Sequence, residues 1–178
     1  MNYVRVYLNI DYDFIMSNDA WIVITPAFYG VDTCSGEKQY YDDLEKFTVP
    51  QRFVYAICQY EQEVNNGGHD QFYFNSTGIV WKDAMKGFEA IGATDNYDII
   101  RQSADLLGGN PSLDWYKRQH DLDKLHPDFE ELDKLFYSTE KKMLEKLNEY
   151  VRKNAKDFYF KGKLKVLKVF ADNFLPKS

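Results

Sequence analysis

The chain of 178 residues is poor in the residue types that build covalent or metal-bound sites. It contains two cysteines, Cys34 and Cys58, and three histidines, His69, His120 and His126. Neither a CxxC pair nor an HExxH motif is present, so the sequence does not indicate a zinc site. Phosphate loops, dinucleotide fingerprints and nucleophile elbows are also absent. We therefore expect no metal ion, no cofactor and no catalytic residue, and a protein that acts by binding.

Long apolar runs are missing as well. The longest one, residues 20–24, is far shorter than the roughly 20 residues that a bilayer-spanning helix needs. The N-terminal segment carries Asp11 and Asp13 and lacks the charged-then-apolar order of a signal peptide. Two cysteines are ordinary as reduced thiols in an intracellular protein. We expect a cytoplasmic protein without a membrane partner.

Aromatic residues, in contrast, are abundant. The chain contains 14 tyrosines, 13 phenylalanines and 3 tryptophans, and 44% of its residues are apolar. A chain of this length can bury a core without disulfides or metal ions. We therefore expect residues 1–178 to form one domain around an aromatic-rich core.

Charge is unevenly distributed along the chain. Residues 1–140 contain 24 acidic and 11 basic residues, whereas residues 141–178 contain 4 acidic and 11 basic residues. The acidic part should repel nucleic acid, so we expect no direct binding of nucleic acid. The basic tail either attracts an acidic partner or offsets charge inside the fold. The helix-like spacing of its lysines favours the second interpretation.

Hydrophobic periodicity predicts a mainly α-helical fold. Val4, Val6, Leu8 and Ile10 alternate, which indicates a short N-terminal strand or an extended arm. Helical spacing and capping residues predict helices over residues 19–24, 48–66, 69–75, 81–91 and 94–107, and further helices that begin near residues 110, 127 and 138 or 139. The expected architecture is a compact orthogonal bundle of many helices.

The C-terminal region has an ambiguous pattern. Leu164, Leu167, Phe170 and Phe174 fit a helix, but the run KLKVLKV alternates enough to form a strand. The sequence leaves both alternatives open.

Residues 63–78, EVNNGGHDQFYFNSTG, form one distinctive motif. Its polar side chains and its glycine pair are Glu63, Asn65, Asn66, Gly67, Gly68, Gln71 and Asn75. Gln71 and Asn75 share a helical face, and Glu63 lies beside the apolar stripe of the preceding helix, so these groups can meet where the two helices turn. We favour a buried hydrogen-bond network that fixes a helix corner. The alternative is an enzyme or a ligand-binding protein that uses Glu63, Asn65 and Gln71, with His69 beside Glu63.

The motif EVNNGGxxQ, followed by aromatic residues and NSTG, resembles the signature of the bacterial DNA-mimic-protein-19-like domain family. Residues 90–93 and 148–158 are similar to later parts of that family, and the resemblance covers roughly residues 19–160. His69 departs from it, because an apolar aromatic residue is more typical there. The basic extension 161–178 lies outside it. The resemblance implies a helical domain with no established catalytic centre, whose surface carboxylates imitate DNA phosphates on a dimer.

Two clusters of acids are candidates for such a surface. They are Glu37, Asp42, Asp43 and Glu45, and Asp121, Asp123, Asp128, Glu130, Glu131 and Asp133. Acids on one helix lie about 5–6 Å apart, whereas duplex DNA carries one charge per roughly 1.7 Å of axis. DNA mimicry would therefore need several acidic helices, aligned across a homodimer. The expected partner is a protein with a basic surface, such as a transcription regulator, and the alternative is an ordinary solvated face.

Overall fold

The alternating N-terminal segment forms a strand, as the periodicity predicts. The computed structural model describes residues 3–168. β1 (Tyr3–Ile10) pairs antiparallel with β2 (Phe160–Leu167), so that Tyr3 lies opposite Leu167 and Ile10 opposite Phe160. The ambiguous C-terminal pattern is therefore a strand as far as Leu167. Phe170 and Phe174 lie outside the described residues.

The two strands form a ribbon with one buried and one exposed face. Val6, Leu8 and Ile10 are buried against the body of the protein, because the side chains of a strand alternate between its faces. The intervening positions of β1 and the lysines of β2 point to solvent. The ribbon thus brings together residues that are 150 to 164 positions apart in the chain.

Nine α-helices lie between these strands in the described part of the chain. They are α1 (Tyr12–Ser17), α2 (Ala20–Val23), α3 (Thr25–Phe28), α4 (Glu37–Leu44), α5 (Val49–Phe74), α6 (Trp81–Ala90), α7 (Thr94–Leu106), α8 (Trp115–Leu125) and α9 (Glu130–Lys153). Short 3-10 turns follow α5 and α9, at Ser76–Val80 and Ala155–Phe158. The predicted mainly helical class is confirmed. None of the helices between residues 3 and 168 is long and apolar enough to cross a membrane.

The central helix α5 begins where its capping residues predict. The Thr48 hydroxyl accepts a hydrogen bond from the Gln51 backbone N–H, and the Gln51 side chain accepts one from the Thr48 N–H. This reciprocal capping box satisfies two backbone donors that the helix cannot satisfy itself. The helix kinks at Gly67 and Gly68, where the sequence predicts that one helix ends and another begins.

The core surrounds α5, which contacts α3, α6, α8 and α9. Its centre is Tyr60, whose ring meets those of Phe72, Phe88 and Phe136 edge to face, with centroids 4.9 to 5.5 Å apart. Edge-to-face contacts place the positive rim of one ring against the negative face of another. All four side chains are fully buried, so the core is rich in aromatic residues.

The predicted cap of α7 and the predicted start of α8 are wrong, although α7 itself begins at residue 94 as predicted. Thr94 does not cap α7 but is its first residue, and the preceding Ala93 occupies the cap position without a side-chain hydrogen bond. α8 begins at Trp115 rather than near Asn110, because the Asp114 carboxylate accepts the Lys117 N–H and caps the helix there.

The predicted boundary at Ser138 or Thr139 is also wrong, because both residues lie inside the continuous helix α9. Each hydroxyl donates to the Leu135 carbonyl of the preceding turn. Serine and threonine can form such bonds within a helix, and their presence does not mark a helix start.

Candidate functional site

The predicted polar corner is built around the carboxylate of Glu63. Its Oε2 accepts hydrogen bonds from the side-chain amides of Gln71 (2.9 Å) and Asn75 (2.8 Å). Its Oε1 accepts one from the Thr77 hydroxyl at 2.6 Å. The three donors come from the end of α5 and from the turn after it, so one carboxylate joins both sides of the kink. We call Glu63, Gln71, Asn75 and Thr77 the glycine corner.

Asn65 and Asn66 do not join the glycine corner. The Asn65 amide donates to Glu61 of its own helix (2.7 Å) and to Glu140 of α9 (2.5 Å). Asn66 is exposed. Burial of Glu61, together with its hydrogen bond to the Glu140 carboxyl, raises the pKa of Glu61 to about 7. Asn65 therefore bridges two acids that link α5 to α9, on a site separate from Glu63.

The glycine pair allows a second contact, in which the Asp133 carboxylate of α9 approaches the backbone of α5 closely. Gly68 has a φ of 72°, and a side chain there would collide with the Asp133 carboxylate. This close approach allows Asp133 to accept bonds from the backbone N–H of His69 (2.9 Å) and from its ring Nδ1 (2.5 Å). With the proton on Nδ1, the ring Nε2 accepts from the Tyr60 hydroxyl at 2.6 Å. The chain from Tyr60 to Asp133 ties the α5 kink to α9.

The proton-transfer pair that the enzyme alternative requires is not formed. His69 bonds to Tyr60 and Asp133, whereas Glu63 bonds to other partners. His69 and Tyr60 are fully buried, and burial raises the pKa of the Tyr60 hydroxyl well above its usual range. A hollow of about 520 Å³ lies beside the corner, but Glu63 does not line it. Among residues 3–168, no three His, Cys, Asp or Glu side chains are arranged to share a metal ion.

Sequence reasoning missed Arg118, the cation of α8 that binds to the backbone of this corner. The guanidinium of Arg118 is fully buried and donates to the backbone carbonyls of Tyr73 (2.7 Å), Asn75 (2.6 Å) and Ser112 (2.7 Å). Two of these carbonyls lie at the C-terminal end of α5, where the helix dipole favours a positive charge. Burial lowers the pKa of Arg118 to about 10, which leaves it charged at neutral pH. A planar guanidinium can reach all three acceptors at once.

This corner lies within a segment that matches a known family. The model of the DMP19-like protein family matches residues 45–154, more than half of the chain. The chain belongs to the DMP19-like protein family. The resemblance drawn from the motif is thereby confirmed, although the matched segment is narrower than residues 19–160. Neither the curated proteins nor the solved structures provide a significant match.

The first predicted acid cluster of this DMP19-like protein does not form one open surface. Glu37, Asp42 and Glu45 are exposed, but Asp43 is buried. The Asp43 carboxylate accepts bonds from Lys46, from the Gln39 amide and from the Asp32 N–H. The bond from Lys46 is the main reason that the pKa of Asp43 is lowered. Asp43 therefore supports the loop before α4 and is not available to a partner.

The second cluster surrounds the turn from α8 to α9. Asp123, Asp128, Glu130 and Glu131 are exposed, Asp121 is half-buried, and Asp133 points inward to His69. Lys134 bonds to Glu130 (2.8 Å) and Glu131 (2.9 Å), so one cation faces two acids. We call Asp121, Asp123, Asp128, Glu130 and Glu131 the α8–α9 acidic surface.

Proposed function

We propose that this DMP19-like protein is a non-catalytic interaction protein whose α8–α9 acidic surface binds a basic protein surface. The observation that carries the proposal is the position of Asp123, an exposed acid in the last turn of α8. A helix dipole disfavours negative charge at that end, so Asp123 does not stabilise its helix. Within residues 3–168, Asp121, Asp123 and Asp128 form no ion pair. Their charge is available to a partner.

The family membership supports a more specific role, imitation of DNA towards a DNA-binding regulator in the bacterial cytoplasm. Charges on one such surface are too sparse to match the roughly 1.7 Å charge spacing of a duplex. A homodimer would present two copies of the surface related by a two-fold axis. Many dimeric DNA-binding regulators and the operators that they bind have the same two-fold symmetry. The glycine corner then has a supporting role, because it joins the two sides of the α5 kink. Arg118 ties this kink to α8, and the bond between His69 and Asp133 ties it to α9.

Displacement of proteins from DNA tests this proposal. Proteins of the source organism that bind immobilised duplex DNA are challenged with the purified DMP19-like protein, and the released proteins are identified by mass spectrometry. A DNA mimic should release a small, reproducible set of DNA-binding proteins. The release should weaken as salt rises, because electrostatic contacts are screened over about 10 Å at 0.1 M salt.

A matched pair of variants assigns the effect to one surface. The test variant carries Asp121→Asn, Asp123→Asn, Glu130→Gln and Glu131→Gln. The control carries Asp13→Asn, Glu89→Gln, Glu145→Gln and Glu149→Gln, four exposed acids elsewhere. Both change the net charge equally, but only the test variant should lose release activity. Equal activity of the two variants would contradict the proposal.

A further inference from the structure

The exposed face of the β1–β2 ribbon is strongly basic and aromatic, unlike the acidic body. Its side chains, which we call the ribbon face, are Tyr3, Arg5, Tyr7 and Asn9 of β1 and Lys161, Lys163 and Lys165 of β2. The register places Arg5 opposite Lys165 and Tyr7 opposite Lys163. Neither strand belongs to the family-matched segment 45–154. The ribbon face is therefore a feature of this chain beyond the family domain.

The stability of the fold does not account for these cations. Arg5 and Lys165 lie directly opposite one another, and like charges in that position destabilise a sheet. Arg5, Lys161, Lys163 and Lys165 form no ion pair with any residue in the range 3–168. The sequence interpretation that the basic tail offsets charge inside the fold is wrong for Lys161, Lys163 and Lys165, because they project to solvent from a strand.

The aromatic side chains restrict what this face can bind. Tyr7 is 55% exposed and Tyr3 is 48% exposed, and the Lys165 ammonium lies 5.0 Å from the centre of the Tyr3 ring. Successive outward residues on a strand are about 6.8 Å apart, so cations and rings form two regular rows.

We infer that the ribbon face binds single-stranded nucleic acid. Arg5 and the three lysines contact the phosphates, and the exposed tyrosine rings stack on the bases, which is how proteins bind single strands without sequence preference. The expectation that the chain binds no nucleic acid directly was based on its acidic part, whereas the ribbon face has its own local positive charge. The activity is separate from the proposed function, which uses acids on α8 and α9.

Fluorescence anisotropy with a labelled oligothymidylate of about 15 nucleotides tests the inference on the whole protein. Four phosphate contacts give a slope of log affinity against log salt near −2.8, because each contact contributes about −0.7 on a single strand. Affinity should thus fall about 50-fold between roughly 50 and 200 mM salt. The Lys163→Gln, Lys165→Gln variant should halve that slope. The Lys141→Gln, Lys153→Gln variant, which changes two exposed lysines of α9, should leave it unchanged.

A second variant separates nucleic acid from other polyanions. Tyr7→Ala should weaken oligothymidylate binding by roughly 5- to 150-fold, the usual strength of one base–aromatic stack, without changing the salt slope. Polyglutamate of equal charge and vesicles of anionic lipid should bind more weakly than the oligonucleotide. Tyr7 is exposed, and circular dichroism checks that the variant folds.

Three results would overturn the inference. One is the absence of binding to the oligonucleotide. The lysines would then serve to protect the exposed strand edges from aggregation. Another is equal or tighter binding of polyglutamate or vesicles, which would indicate an acidic protein or a lipid surface as the partner. The third is unchanged oligonucleotide affinity in Tyr7→Ala.

Discussion

Replacement of Glu63 by alanine should destabilise the protein more than any ordinary surface change. The substitution removes the acceptor of three hydrogen bonds, from Gln71, Asn75 and Thr77. Hydrogen bonds to a charged group contribute about 1.5–3 kcal/mol each when buried. Because Glu63 is half-buried and its donors can be rehydrated, we assign about 1 kcal/mol to each bond. The free energy of unfolding should therefore fall by about 3 kcal/mol.

Urea unfolding followed by far-UV circular dichroism and tryptophan fluorescence measures this loss. With a slope of about 2 kcal/mol per molar urea, the midpoint should move down by about 1.5 M at an unchanged slope. Thr77→Val removes one of the three bonds and should cost about 1 kcal/mol. Glu89→Ala, which removes an exposed acid on α6, should change the free energy by less than about 0.5 kcal/mol.

An unchanged midpoint in Glu63→Ala would contradict this expectation. It would mean that the three bonds are exchanged with water at no cost and that the glycine corner does not support the fold. A gain in stability would go further, because polar groups arranged for binding or catalysis are often destabilising. The corner would then be the functional site and not its support.

Two other substitutions test buried charges. The pKa of Glu61 is raised in the folded protein, so the stability that this group provides is fully present below its unfolded pKa of about 4.5 and is lost as pH rises through about 7. Glu61→Gln should therefore stabilise the protein by about 1–2 kcal/mol near pH 8 and give no gain near pH 4.5. Urea titrations at the two pH values measure the difference. Arg118→Lys keeps the charge, but a lysine ammonium cannot span the three carbonyls that the guanidinium binds. Thermal unfolding should therefore show a free energy of unfolding that is lower by about 2–3 kcal/mol. Full retention of stability would contradict the role assigned to the guanidinium.

Local chemistry made much of the fold predictable. The Thr48 cap predicted the start of α5, and the glycine pair predicted the break at which the helix kinks, because caps and glycine conformations depend on neighbouring residues. The spacing of Gln71 and Asn75 correctly placed both on one face near Glu63. These inferences needed only contacts that are close in sequence.

Contacts between distant segments were not predictable in the same way. Arg118 reaches Tyr73 across 45 residues, and nothing near Arg118 in the sequence signals a buried cation. Asp43 was grouped with surface acids because its own helix gave no sign that the Asp32 backbone would use its carboxylate. The polar ring of His69 is accommodated in the core by the Tyr60 hydroxyl and by Asp133 of α9, and the contact with Asp133 spans 64 residues of sequence.

We propose that the α8–α9 acidic surface acts on partners while the glycine corner supports the scaffold. The most direct test is to measure, in one experiment, the amount of DNA-binding protein released from duplex DNA by two variants at a temperature where both are folded. We expect the variant with four neutralised acids at residues 121, 123, 130 and 131 to release little. Its free energy of unfolding should fall by only about 1 kcal/mol, because it loses the ion pairs of Lys134 and two acids at the start of α9. Glu63→Ala should release as much as the unchanged protein despite its lower stability. The reverse pattern, with release lost only in Glu63→Ala, would assign the activity to the glycine corner and not to the α8–α9 acidic surface.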